Sequence, residues 1–213
     1  MIPNGCDLDL FRPVPAPRTS PPGTLRAVFT GAHGLANGLD AVLAAAAELK
    51  RRGRGGITLD FIGEGKLKAD LAARAAREGL DNCRFRDPMP KHDLARALQE
   101  VDVGLMILAD VPAFYLGTSP NKFFDYLACG LPVVNNYPGW LADLIKANEC
   151  GVVVPPRDPA AFAAALIHLA DHPEERQRMG QNARRLAERQ FARDIQARRW
   201  VAFLDKICTE KKR

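Results

Sequence analysis

The chain has 213 residues, 47% hydrophobic and 26% charged, which suits a globular domain with a sizeable core and excludes a disordered chain. No run approaches the roughly 18–20 apolar residues of a membrane span, and the start, MIPNGCDLDLF, has neither the basic nor the apolar region of a signal peptide. The net charge of +5 is uneven, because Arg176 to Arg213 carries twelve Lys or Arg against four Asp or Glu and leaves the rest slightly acidic.

Residues 1–24 are rich in proline, with Pro13, Pro15, Pro17, Pro21 and Pro22, and hold few apolar side chains after Phe11, so they read as an extended linker. A regular pattern begins at Leu25. Residues 25–30 form an apolar strand that runs into a small loop, Gly31-Ala32-His33-Gly34. A leucine- and alanine-rich helix is expected over 39–49, a strand over 57–62 ending at Gly63-Glu64-Gly65, and a helix over 66–78. A short strand at 83–86 precedes Asp87-Pro88-Met89-Pro90, then come a helix over 91–100, an apolar strand over 101–108 and a loop over 109–118. The remaining elements are a helix from Pro120 to Ala128, a strand over 131–134, a helix over 140–147 and a strand over 151–154. Helices starting near Pro159, Pro173 and Phe191 close the chain. The division expected is a linker (1–24), a ligand-binding domain (25–190) and a terminal helix with a basic tail (191–213).

Strands alternating with helices at this spacing predict βαβ units, a parallel sheet and a doubly wound, Rossmann-like α/β fold. Such sheets bind ligands beyond the carboxyl ends of their strands. The loops at His33, Gly63 to Lys66, Pro88-Met89 and Thr118 to Lys122 all follow strands and should converge on that edge.

The stretch GTSPNKFFDYLACGLPVV, starting at Gly117, carries the chemistry. Ser119 is placed to cap a helix, Pro120 fits its first position, and Cys129-Gly130 ends it. Free N–H groups and the positive dipole end make the helix start an anion site, to which Lys122 adds a full charge. Asp125 lies one turn on, suited to a hydroxyl-bearing group, so that the two together suggest a nucleotide. The same stretch also reads as an ordinary capped helix with a solvated Lys–Asp pair.

A dinucleotide fingerprint is absent: Gly31, Gly34 and Gly38 have the wrong spacing, and the second strand ends Phe61-Ile62-Gly63 without an acid. No P-loop occurs. Cysteines 6, 83, 129, 150 and 208 form no CxxC, which reads as free thiols in a reducing compartment, and the cytoplasm is the expected location. Histidines 33, 92, 168 and 172 show no metal-ligand spacing, and with no Asp-x-Asp present no metal or other cofactor is expected. The basic C-terminal region suits an anionic membrane surface or a solvated helix face; without aromatic interleaving or a motif, no nucleic acid partner is expected.

Several stretches, in order, resemble the C-terminal, donor-binding half of GT-B glycosyltransferases of the large retaining family marked by an E-x7-E motif. These are the entry segment Ile2 to Pro13, Phe29-Thr30-Gly31 followed by Gly38-Leu39, Phe61-Ile62-Gly63-Glu64-Gly65, and Asp102 to Met106. The signature region Asp125 to Val134, and Gly151 to Pro156 with Asp158-Pro159, complete the match. The SPNKFFDYLA wording is similar to transferases of N-acetylated amino sugars in bacterial surface-polysaccharide assembly. The resemblance implies half an enzyme, whose acceptor domain precedes the linker. It implies that Asp125 holds the donor ribose, that backbone N–H groups over Ser119 to Lys122 hold the β-phosphate, that Gly31 to Gly34 lie under the diphosphate, and that Asp87 to Pro90 face the base.

Three positions depart from that family. Gly117 stands where the first motif acid belongs, Ala32 where an Arg does, and Asn37 where a Lys does. Lys122 is the expected compensating cation, with Lys66 and Lys68 as further ones and His33 as a neutral donor. The candidate site is therefore Gly31, His33, Gly34, Lys66, Pro88, Met89, Thr118, Ser119, Pro120, Asn121, Lys122 and Asp125, with no catalytic residue assigned. The expected ligand is a nucleotide-diphosphate sugar, most of all a UDP-sugar used to extend a saccharide or lipid-linked acceptor. A GT-B sugar-nucleotide epimerase and a nucleotide-sugar-binding module without transfer are the alternatives, the second motivated by Gly117.

Overall fold

The computed structural model describes residues 2–14 and 20–210. Met1 and residues 15–19 of the expected linker, and 211–213 of the basic tail, lie outside the described residues.

Six strands form one fully parallel sheet: β1 (Leu25–Thr30), β2 (Ile57–Ile62), β3 (Cys83–Arg86), β4 (Val103–Met106), β5 (Val133–Asn135) and β6 (Gly151–Val153). Their order is β3-β2-β1-β4-β5-β6, so the chain winds outward from β1 first to one side and then to the other. The switch between β1 and β4 opens a crevice at their carboxyl ends. β1 and β2 are buried along nearly their whole length because both faces of the sheet are covered.

One face carries α1 (Asp40–Arg51), α2 (Lys68–Arg77) and α7 (Pro159–Asp171). Alanines at 44–47 in α1 and 163–165 in α7 let these helices lie close to each other and to the strands. The other face carries α3 (Lys91–Leu98), α4 (Pro112–Tyr115), α5 (Asn121–Ala128), α6 (Trp140–Ala147) and α8 (Pro173–Leu186). A π-turn (Ala187–Phe191) leads into α9 (Arg193–Glu210).

Some expected bounds shift. The second helix begins at Lys68 because Leu67 N–H is taken by the His33 carbonyl at 2.9 Å, which fixes residues 63–67 as a loop. The loop expected over 109–118 contains the short helix α4, with Pro112 at its start. The strands expected over 101–108 and 131–134 pair only over Val103–Met106 and Val133–Asn135. Residues 2–14 pack on the body: Cys6 and Phe11 are buried in the core, and Cys6 makes a parallel bridge with Ala192.

Candidate functional site

The sheet edge is built by two glycine loops. Gly31 N–H donates to Ile62 O and His33 N–H to Glu64 O, both at 2.9 Å, so the loops after β1 and β2 continue the ladder beyond the strands. Gly63 has φ +150°, and a Cβ there would run into the Gly31 carbonyl. Only glycine allows this approach, which lays a flat backbone floor at the crevice.

Helix α5 is docked on that floor by Tyr126. Its ring lies against Gly104 of β4, where any Cβ would collide with it. Its hydroxyl accepts the Thr30 N–H at 2.9 Å and lies 3.0 Å from Thr30 Oγ1, at the last residue of β1. Lys122 precedes Tyr126 by one turn on the same face, so this docking aims it at the Gly31 loop.

The Lys122 ammonium lies 3.8 Å from the centroid of the Phe29 ring and 3.2 Å from Asn37 Oδ1, which accepts from it. It makes no ion pair among the described residues, and burial alone pulls its pKa down from 10.5 to about 7. A desolvated cation without a counter-ion costs free energy. Asn37, where the resembled family has a lysine, is the residue that receives it.

Asp125 is buried on the same helix, yet it does not pair with Lys122. It faces Cys6, Asp7, Lys91 and Arg193, on the side of the turn after β3. Burial raises its pKa from 3.8 to about 6, which the Lys91 and Arg193 charges partly oppose. No hydrogen bond reaches its carboxylate among the described residues. A solvated Lys–Asp pair is thereby overturned: the two groups are separate, desolvated and oriented apart.

The start of α5 differs from expectation. Pro120 is extended, with φ −77° and ψ 133°, and occupies the cap position rather than the first helical one. Ser119 does not cap the helix; its Oγ accepts the Asn4 N–H at 2.9 Å. The N–H groups of Asn121 and Lys122 therefore open the helix without any side-chain cap.

His33 is not on the ligand side of its loop. It is wholly buried among Phe29, Phe61 and Phe85, with ring centroids 6.0, 6.4 and 6.2 Å away, and neither imidazole nitrogen has a partner. Burial, then the Lys68 charge, lowers its pKa. Lys66 is exposed on the rim, whereas Lys68 is held by Glu64 at 3.1 Å and Asp87 at 2.6 Å and is not free for a ligand. Gly31 and Gly34 lie at the crevice, Pro88 is exposed on the turn after β3, and Met89 packs on the core. The Thr118 carbonyl accepts the Trp140 indole N–H at 2.9 Å, which anchors the segment entering α5. Gly117 faces open space.

The structure thus brings Lys122 against the Gly31 loop and sets Ser119 and Asn121 against Asn4 at the start of the same helix, with Asp125 turned toward Cys6, Asp7, Lys91 and Arg193. Reasoning from sequence missed Tyr126, Asn4 and Lys91. The Pro3-Asn4-Gly5 turn signature was the available signal for Asn4; nothing in the sequence announced the other two.

Residues 24–172 match the family described as glycosyl transferases group 1. The D-rhamnosyltransferase WbpZ of Pseudomonas aeruginosa is 32% identical over 124 residues, which cover 58% of this chain and 32% of that protein. The amylovoran biosynthesis glycosyltransferase AmsK of Erwinia amylovora is 28% identical over 172 residues, 80% of this chain and 42% of that protein. The structure of Anabaena HepE in complex with UDP-glucose superposes with a TM-score of 0.76 at 15% identity, covering 95% of this chain and 56% of HepE, a likeness of fold. The chain spans about a third to two fifths of the length of these curated relatives.

Proposed function

This chain belongs to the glycosyl transferase group 1 family, and we propose that it is the donor-binding half of such an enzyme, holding a UDP-sugar at the β1–β4 crevice. One observation carries the reading: a half-buried lysine without a counter-ion, Lys122, stands at an uncapped helix start above a glycine floor. A diphosphate supplies the missing negative charge, the N–H groups of Asn121 and Lys122 bind its oxygens, and Asp125 accepts from the ribose hydroxyls. Catalysis by this half is orientation of the donor and stabilisation of the leaving diphosphate, without a metal.

Sugar transfer then needs an acceptor half preceding residue 1. The proposed donor is an N-acetylated amino sugar, passed with retention to a saccharide or lipid-linked acceptor of a surface polysaccharide at the cytoplasmic membrane face. The name of the AmsK relative supports the polysaccharide role, and the UDP-glucose bound by HepE supports the nucleotide. No helix among the described residues is long and apolar enough to cross a membrane. The described charges of α9 give the membrane-face reading modest support, since Arg193 pairs with Asp7 and Arg198 with Asp194.

Calorimetric titration with UDP, GDP and NAD tests the reading. UDP binding that is lost in Asp125→Ala and in Lys122→Ala supports it; preference for NAD, or no nucleotide bound at millimolar concentration, overturns it. A binding module without transfer is favoured by one observation, the open Gly117 where the resembled family has an acid. Gly117→Glu separates the two in the full-length enzyme, because there is room for the side chain: turnover already present in the unaltered enzyme supports transfer, and turnover that appears only in the variant supports a binding module that lacks its acid.

A further inference from the structure

Residues 2–7 run as a strap past the start of α5. Asn4 N–H donates to Ser119 Oγ at 2.9 Å, and its side-chain amide donates to the Ser119 carbonyl at 2.6 Å and to Asn121 Oδ1 at 3.0 Å. The strap is fixed from behind. Cys6 N–H donates to Phe191 O at 2.8 Å, Arg193 N–H donates to Cys6 O at 2.9 Å, and a Cβ on Gly5 would come within 2.9 Å of the same Phe191 carbonyl.

Ser and Asn are the residues that most readily fold back to cap a helix start. Pro120 holds the cap position of α5, Ser119 precedes it and Asn121 is the first helical residue, and neither of their side chains caps the helix. Their side-chain oxygens are both engaged by Asn4, which lies 115 and 117 positions away in sequence. A serine oxygen that accepts one hydrogen bond keeps its proton to donate elsewhere. The result is an uncapped helix start with one free hydroxyl proton just before it and the Lys122 ammonium in its first turn.

We propose that Asn4 is a positioning residue for the diphosphate: it holds the two local caps away from α5 and so keeps the helix N–H groups vacant for the ligand's phosphate. This rests on the phosphate reading of the crevice given above. It identifies the strap that enters the domain as part of the donor site, though it touches no donor atom.

The test is titration of the chain with UDP and with uridine, which has the base and ribose but no phosphate. In Asn4→Ala the two side-chain amide bonds are lost while the backbone N–H still holds Ser119 Oγ, so the freed Asn121 side chain competes with the ligand and UDP affinity falls by about tenfold, on the scale that cap competition produces. Uridine affinity stays within about twofold, because the base and ribose contacts lie elsewhere. Removing a competing cap restores binding, so Asn4→Ala/Asn121→Ala binds UDP more tightly than Asn4→Ala alone. Should Asn4→Ala not fold, Asn4→Leu, of similar shape with no amide donor and no charge, carries the same comparison. Equal loss of UDP and uridine, no loss of either, or no recovery in the double variant overturns the assignment while leaving the phosphate site intact. Failure of the unaltered chain to bind UDP overturns both.

Discussion

Lys122 concentrates the free-energy argument at the scale of one residue. Its ammonium sits on the Phe29 ring and one amide oxygen, with no carboxylate to offset its lost hydration. Strain of this kind persists where a ligand relieves it. Lys122→Met keeps the stem against Phe29 and removes the charge; it should raise the melting temperature of the unliganded chain by about 2–4 °C per kcal/mol recovered, and abolish UDP binding. Scanning calorimetry with and without UDP checks both halves, and a variant that melts lower would show that the ammonium is stabilising. The pH dependence has a definite sign. Folding lowers the Lys122 pKa from 10.5 to about 7, so the unfolded chain holds the extra proton across that window. Stability of the unliganded chain therefore has a component that is present above 10.5 and lost as pH falls through about 7. UDP binding runs the other way, since only the ammonium attracts phosphate. Affinity should weaken as pH rises above about 7, and Lys122→Arg, always charged, should lose that alkaline limb. Titration at a series of pH values decides it.

At the scale of elements, α5 buries Phe123, Phe124 and Leu127 in the core and is registered on the sheet by the Tyr126 hydroxyl and the missing Cβ of Gly104. Tyr126→Phe leaves the buried Thr30 N–H without its acceptor and should cost about 1–3 kcal/mol. Gly104→Ala should cost more than the about 1–3 kcal/mol typical of overpacking, because the added carbon would stand within 3.0 Å of the Tyr126 ring. Denaturant midpoints measure both; a neutral Tyr126→Phe would mean that Thr30 finds water. The same elements show what the sequence reveals. β1, β2 and β4 are apolar runs bounded by glycine or acid, and their parallel order follows from the βαβ spacing. The glycine loops and Lys122 were legible because helix starts and strand ends have local signatures. The state of the helix start was not legible: Ser119 has every local mark of a cap, and a hydrogen bond from Asn4, distant in sequence, overrides it. His33 was misplaced for a related reason. Its loop position suggests exposure, and only the convergence of Phe29, Phe61 and Phe85 from three strands buries it.

For the molecule as a whole, stability and accessibility divide the chain unequally. β1 lies at the centre of the sheet, hydrogen-bonded to β2 on one side and β4 on the other, with both faces covered. α9 is different: its first turn is pinned by Cys6 and Asp7, but Trp200, Val201, Phe203 and Leu204 are about half exposed. Local opening is easiest where buried contacts are fewest. Amides of Leu25–Thr30 and Ile57–Ile62 should therefore exchange with solvent at the global unfolding rate, and those of α9 beyond Gln196 should exchange first. UDP adds a second pattern. Ligand held between the glycine floor and the start of α5 should slow exchange at residues 31–38 and 119–123. If the Asn4 strap belongs to the same unit, residues 4–6 should slow with them while the far end of α9 does not. Protection confined to 31–38 would instead place the phosphate on the loop without the helix, and Lys122 would then stand as a buried charge with no use.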